Sequence, residues 1–356
     1  MIEPFVHDPL PTRVIFGSGT LARLGPEVER VGVRRALVLS TPGRAETQAN
    51  GIAASLGERS AGVFAGAVMH TPIEVTEEAL RVVKERGADA VVAVGGGSTT
   101  GLGKAIALRT DLPQIVLPTT YAGSEMTPIL GETRGGTKTT LRDPRVLPEV
   151  VIYDVDLTLA LPVGTSAASG MNAIAHAVEA LYARDRNPLV SLMAEAGVAA
   201  LARALPKISE VPQDREARAE ALYGAWLCGV CLGTVGMALH HKLCHALGGS
   251  FGLPHAETHA IVLPHAAAYN APAASTAMAR VARALRTDDA ARGLYALAGR
   301  LGVKRALRDI GMPADGIGEV VERTLADPSW NPRPLERAAI RDLLTRAWSG
   351  EPPRSA

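Results

Sequence analysis

The sequence predicts two domains of different class: an α/β domain with a parallel sheet over residues 1–158, then an all-helical domain over residues 159–356. Length is the first reason, because 356 residues exceed what one hydrophobic core ordinarily serves. A change of period is the second. Short apolar runs alternate with amphipathic helices up to about Asp156, and after Ser166 nearly every segment has helical spacing. The boundary falls near residues 155–163, VDLTLALPV.

In the first domain Arg35–Ser40 (RALVLS), Ala90–Val94 (AVVAV) and Gln114–Leu117 (QIVL) are compact apolar runs ended by Gly, Pro or Ser. Strands buried on both faces have this pattern. Ile73–Arg86 (IEVTEEALRVVKER) places apolar residues at helical spacing with charges opposite. Strand, helix and strand in this order give a parallel sheet covered by helices on both faces. Thr133–Thr140 reads as a turn inside a β-hairpin, inserted before a last strand at Val150–Asp154. In the second domain Ser191–Leu205, Glu216–Leu239 and Leu335–Trp348 are helical, punctuated by Pro188, Pro206, Pro254, Pro272 and Pro313.

Composition excludes several classes. A formal net charge of +1 supplies no general basic field for nucleic acid or an anionic membrane. No window carries about eighteen uninterrupted apolar residues, so no membrane span is expected. The N-terminus, MIEPFVHDPLPTR, lacks the basic and then apolar stretches of a secretion signal. Three cysteines form no disulfide framework, which fits a reducing cytoplasm. Cys228 and Cys231 make a C-x-x-C in a helical run without a second pair, and are expected to be core thiols rather than a zinc or redox site.

Two patterns carry chemistry. Gly95, Gly96, Gly97 and Ser98 lie between the strand AVVAV and the helical run Thr99–Leu108. Glycines at such a turn let the backbone approach an anion, and the free N–H groups of the helix start point at it. The diphosphate of a dinucleotide suits this loop; a plain tight turn needs only one glycine. Gly17-Ser18-Gly19 is a second, lesser glycine turn. Thr119, Thr120 and Tyr121 follow the next strand, and ligands of open parallel sheets gather at the carboxyl ends of strands. Ser40 and Thr41 end RALVLS where nicotinamide-binding folds often place a ribose-binding carboxylate. A hydroxyl there does not repel a 2′-phosphate, so NADH and NADPH are both expected to be accepted.

The second pattern is GMNAIAHAVEALYA (Gly170–Ala183) with His241, His245 and His255. Asn172 and His176 are four apart, as are His241 and His245, so each pair shares a helical face. The arrangement is that of a four-ligand metal site with an asparagine where an aspartate is wanted. Seven of the nine histidines fall within residues 176–265. His240 lies about 100° around the helix from His241 and is left outside the site.

Together the GGGS loop, the PTT after the following strand, GMNAIAHAVEALYA and HHKLCHALGGSFGLPHAETHAIVLPHAAAYN resemble the iron-containing, group III alcohol dehydrogenases, from about Val14 to Asn270. The wording around the GGGS loop is most similar to the maleylacetate reductase branch. The resemblance implies the dehydroquinate-synthase-like fold, an N-terminal dinucleotide-binding domain, a helical catalytic domain and a homodimer. By resemblance, His176, His241 and His255 match the three ligand histidines and His245 a nearby catalytic histidine. Asn172 replaces the acidic first ligand, Gly101 an acidic residue after the GGGS turn, and His259 a common asparagine.

An asparagine carbonyl is a poorer ligand than a carboxylate for a divalent transition metal, so a metal-free enzyme is expected. If a metal binds, His176, His241 and His255 hold it. The substrate that the resemblance implies tolerates the loss. Alkoxide stabilisation calls for a Lewis acid, whereas reducing the double bond of maleylacetate, a dicarboxylate enone, to 3-oxoadipate passes through a less basic enolate. Imidazole hydrogen bonds or imidazolium charge can stabilise an enolate. His245 and His255 are expected to polarise the ketone oxygen, and one of the cluster to give the proton. His176 and His241 shape an electropositive pocket, and Asn172 donates a hydrogen bond. Tyr121, Lys242 and Arg142 are candidates for substrate contacts, the last two otherwise being solvated surface charges. Lys138 either reaches the cofactor or caps a hairpin. The alternatives are a metal-dependent alcohol or aldehyde dehydrogenase, a dehydroquinate-synthase-like lyase and a non-catalytic nucleotide-binding module.

Overall fold

The structure, a computed structural model, describes residues 4–135, 137–326 and 330–354, without the side chains of Arg44, Thr137 and Lys138. Lys138 as a cofactor contact therefore lies outside the described residues. The chain divides into two units, Pro9–Leu161 and Pro162–Ala356, the second joined by the residues up to Asp8. The expected boundary at 158/159 moves by three residues. The N-terminal segment belongs with the helices rather than with the α/β domain, a correction to 1–158.

The first unit runs β1 (Arg13–Gly17), α1 (Leu24–Arg30), β2 (Ala36–Leu39), α2 (Arg44–Ser55), β3 (Ser60–Phe64), α3 (Ile73–Arg86), β4 (Ala90–Gly95), α4 (Gly97–Thr110) and β5 (Gln114–Pro118). A hairpin of β6 (Ile129–Arg134) and β7 (Thr137–Arg142) precedes β8 (Val150–Asp154). Six strands form a parallel sheet in the order β1-β8-β5-β4-β2-β3. Alternate side chains feed two cores, as a twofold period requires. Val38, Val92, Ile115 and Ile152 meet Leu24, Val28 and Ile52 on one face. Leu37, Leu39 and Val91 meet Ala79, Val83, Leu102 and Ile106 on the other. β1 and β3 have no counterpart in the sequence reading. They are the two edge strands and only half-buried, so their residues are less apolar.

The second unit contains α5 (Val163–Tyr182), α6 (Pro188–Glu210), α7 (Arg215–Thr234), α8 (Leu239–Phe251) and α9 (His255–Asn270), then α10 (Ser275–Leu285), α11 (Ala290–Arg300), α12 (Gly316–Ala326) and α13 (Arg337–Ser349). From Ser166 onward every residue of α5 is buried. Small residues permit this: a Cβ on Gly170 would stand 2.7 Å from Leu205 of α6. α6 and α7 cross equally closely, a Cβ on Gly197 lying 2.7 Å from the Cys228 sulfur. α6 is long and apolar enough to cross a membrane by length and composition, yet it packs between α5 and α7.

Two helical expectations change. Pro206 lies inside α6 rather than ending it. Glu216–Leu239 is not one helix, because α7 stops at Thr234 and α8 leaves at 92°. A side chain from α5 causes the break, as the site shows.

Candidate active site

In the α/β unit the three nominated segments meet at one end of the sheet. β4 pairs with both β2 and β5, Gly95 stands opposite Pro118, and Thr119 N donates to Gly95 O at 3.0 Å. The loops after these strands are thus neighbours, as the sheet rule requires.

Each glycine of the loop has a different reason. A Cβ on Gly95 would lie 2.4 Å from Thr99 Oγ1, at φ +152°, and one on Gly96 would lie 2.8 Å from Thr120. Both glycines are demanded by the protein's own packing. Gly97 is not: its φ is unexceptional, its nearest neighbours are 3.9 and 4.0 Å away, and it is exposed. α4 begins here with no side chain capping its N-terminus. Thr99 Oγ1 and Ser124 Oγ are buried without a protein partner. An open helix start beside orphaned hydroxyls fits a dinucleotide diphosphate. Gly17-Ser18-Gly19 does not, because the Asp154 carboxylate already accepts from Gly19 N at 3.0 Å and Leu21 N at 2.7 Å.

Other cofactor and substrate expectations divide. Ser98, Thr119, Thr120 and Thr41 are partly exposed at this end of the sheet. Ser40 is fully buried, and its hydroxyl donates to Thr41 O at 3.1 Å, so Thr41 alone of the pair faces outward. Tyr121, expected as a substrate contact, is wholly buried in its loop. Arg142 is exposed on β7. A Cβ on Gly101 would lie 2.4 Å from Thr71 Oγ1. Thr71 and His70 hold left-handed backbone, at φ 45° and 67°, and Thr133 pins both. A β-branched residue there is strained.

In the helical unit α5, α8 and α9 bring the histidines together. Ring centroids of His176 and His241 are 5.2 Å apart, and His241 lies 4.9 Å from His259 and 6.4 Å from His245. His255 lies 4.2 Å from His259. His245 is exposed, while His255 and Lys242 are half-buried, so these three form the rim. Asn172 is buried on α5 with Oδ1 unpartnered, as are His176 Nδ1 and His241 Nε2.

Three members of the cluster are not among the site residues that the sequence predicts. His240, left outside the site by helical angle, is fully buried and shares a 3.0 Å hydrogen bond, Nε2 to His259 Nδ1, within the histidine cluster. A cluster drawn from three helices surrounds α8 on more than one side. His259 sits among His176, His240, His241 and His255. Glu179 is the third. Fully buried, it accepts from Ala238 N at 2.9 Å, His240 N at 2.8 Å, Tyr182 Oη at 3.1 Å and His241 Nδ1 at 2.7 Å. It thereby caps the start of α8 from another helix and explains the break after α7. The available signal was the one acidic residue in a helix whose other residues are apolar or uncharged polar, His176 apart.

Burial sets the charges. Removal from water holds His176 and His259 well below the usual imidazole range and His240 at about 3, with neighbouring histidines adding repulsion. Burial thus works against the positive charge expected of His176, and acts on His240 and His259 in the same direction. For Glu179, burial works upward, but the His241 contact and the backbone donors prevail and hold it at about 2. Cys228 and Cys231 are buried free thiols, Cys231 pushed up to about 12 by burial, as expected of core residues.

The donor chemistry of the cluster bears on whether it suits a metal. Asn172, His176, His241 and His255 are all neutral donors, and the nearby Glu179 carboxylate is spent on backbone N–H groups and on His241. A resident divalent iron fits this set poorly. Among the described residues, His240, Cys244 and His259 converge with ligand atoms within 4.8 Å. Their atoms are engaged with one another, and burial holds the Cys244 thiol protonated.

Residues 11–155 match the family model for iron-containing alcohol dehydrogenase, and residues 166–348 the model for the C-terminal part of the Fe-containing alcohol dehydrogenase family. Maleylacetate reductase from Rhizobium sp. (strain MTP-10005) is 56% identical over 352 residues, 99% of this chain and 100% of that one. Its crystal structure superposes with a TM-score of 0.95, covering 99% of this chain and 100% of that one. Maleylacetate reductase from Burkholderia cepacia is 54% identical over 99% of this chain and 100% of its own. An iron-containing alcohol dehydrogenase structure from Corynebacterium glutamicum is 45% identical, with a TM-score of 0.93 and 98% of each chain covered. Matching nearly end to end at such identity, the chain belongs to the iron-containing alcohol dehydrogenase family, within its maleylacetate reductases, and is an oxidoreductase.

Proposed function

We propose that the protein reduces the carbon–carbon double bond of maleylacetate to give 3-oxoadipate, using NADH or NADPH and no resident metal, as a cytoplasmic homodimer. One observation carries the metal-free reading: the histidine cluster has Asn172 at its head, and Glu179, the carboxylate beside it, is already committed to α8. A reduced nicotinamide dinucleotide supplies the hydride. With hydride added at the carbon β to the ketone, negative charge collects on the ketone oxygen and a proton goes to the α carbon.

The chain's residues serve that charge and that proton. His176, His240 and His259 are held neutral, so they offer hydrogen bonds and shape rather than charge. The exposed His245 and the half-buried His255 at the rim polarise the oxygen, and a rim imidazole gives the proton. Lys242, on α8 beside them, is the candidate for binding a carboxylate. His245→Ala is expected to lower kcat by about 10²–10⁴-fold; normal turnover in steady-state assays would remove it from the reaction.

The direct test follows NADH absorbance with maleylacetate, then with simple alcohols and NAD, before and after chelation. Turnover of maleylacetate that survives chelation supports the proposal. Alcohol oxidation restored only by iron or zinc supports the metal-dependent dehydrogenase instead. Thr41→Asp is expected to raise the KM for NADPH about tenfold or more and leave NADH little changed, because a carboxylate repels the 2′-phosphate. Equal effects on both would place Thr41 elsewhere. Light scattering tests the homodimer.

A further inference from the structure

We infer that Glu179 is a positioning residue, which fixes the ring orientation and tautomer of His241 so that Nε2 is the nitrogen it offers to the histidine cluster. The inference rests on reading the histidine cluster as the reacting site. Glu179 lies three residues after His176 on α5, one of the few polar side chains on a helix buried all round. Its two oxygens are fully engaged. Oε1 accepts from His240 N at 2.8 Å and Tyr182 Oη at 3.1 Å, and Oε2 from Ala238 N at 2.9 Å and His241 N at 3.4 Å. The remaining contact, His241 Nδ1 at 2.7 Å, is the shortest.

An ionised carboxylate accepts and never donates, so Nδ1 must carry a hydrogen. The other nitrogen, Nε2, is buried and has no protein partner. The His241 ring stands in the cluster with the rings of His176, His259 and His245, centroids 5.2, 4.9 and 6.4 Å away. Carboxylates behind an imidazole set which ring nitrogen faces a ligand and hold the ring still. Here the same carboxylate also caps α8, so the backbone bearing His241 and its ring are registered by one group. A helix cap alone would leave the ring free to choose its tautomer.

The first measurement needs no turnover: ¹⁵N NMR of histidine-labelled intact protein at mildly alkaline pH, with His241 assigned by its loss in His241→Ala. A protonated Nδ1 is expected; a neutral ring protonated at Nε2 overturns the inference. The second is a double-mutant cycle of Glu179→Gln and His241→Ala. Glu179→Gln alone is expected to lower kcat about 10- to 100-fold, with the KM for NADH unchanged, and to cause no further loss in the His241→Ala background. Equal fold-losses in both backgrounds mean that Glu179 only caps the helix, which overturns it. Should Glu179→Gln fail to fold, the tautomer of the parent protein decides. Should maleylacetate not be turned over, that same spectrum still stands apart from the failed activity.

Discussion

Stability is expected to fall steeply once the pH drops below 6.5. His176 and His259 are held well below that value and His240 at about 3, whereas the unfolded chain takes up protons near 6.5. Between these limits the unfolded state binds more protons, so stability rises with pH through the window and is fully present above it. Each imidazole contributes up to about 1.4 kcal/mol per pH unit. Three such groups acting in the same direction weigh appreciably against the ~5–15 kcal/mol that holds a domain together. Glu179 adds a second loss as the pH falls from 4.5 towards 2. Urea midpoints across this range check the expectation, and His259→Asn should flatten the slope by about one-third. An unchanged midpoint from pH 8 to 5 would mean that the inner imidazoles are not neutral when folded.

Gly97→Ala is expected to spare the fold and to weaken dinucleotide binding about tenfold or more, since a methyl would stand where the backbone meets the diphosphate. The site has room for it, with no atom nearer than 3.9 Å. Gly95→Ala should instead destabilise the protein by about 2–3 kcal/mol, through left-handed backbone and the collision with Thr99. Melting temperatures and NADH fluorescence titrations separate the two. Equal affinity in Gly97→Ala and the parent would place the diphosphate away from this loop.

Legibility followed burial. Strands β2, β4, β5 and β8 lie inside the sheet, and their unbroken apolar runs marked them within one residue. The edge strands β1 and β3 gave no such run. Helix α3 was legible to the residue because its two faces differ, whereas the turn between α7 and α8 was invisible. Its cause is a carboxylate some sixty residues earlier, and no local pattern reports that. The glycine loop and the residue types of the histidine site could be read from spacing. Spacing cannot report Tyr121's burial, the inclusion of His240 and His259, or which imidazoles stay neutral, because all depend on how separate helices pack.

The helical unit draws on both ends of the α/β insertion: residues up to Asp8 join it, with His7 Nδ1 3.4 Å from the Asn187 amide, while Pro9–Leu161 form the other unit. During synthesis the sheet emerges whole before the first residue of α5, and domains generally fold as units in that order. The leading segment must then wait, unattached, until α6 leaves the ribosome. A bulky fusion at that end would accordingly slow maturation of the histidine-bearing unit and leave assembly of the sheet untouched.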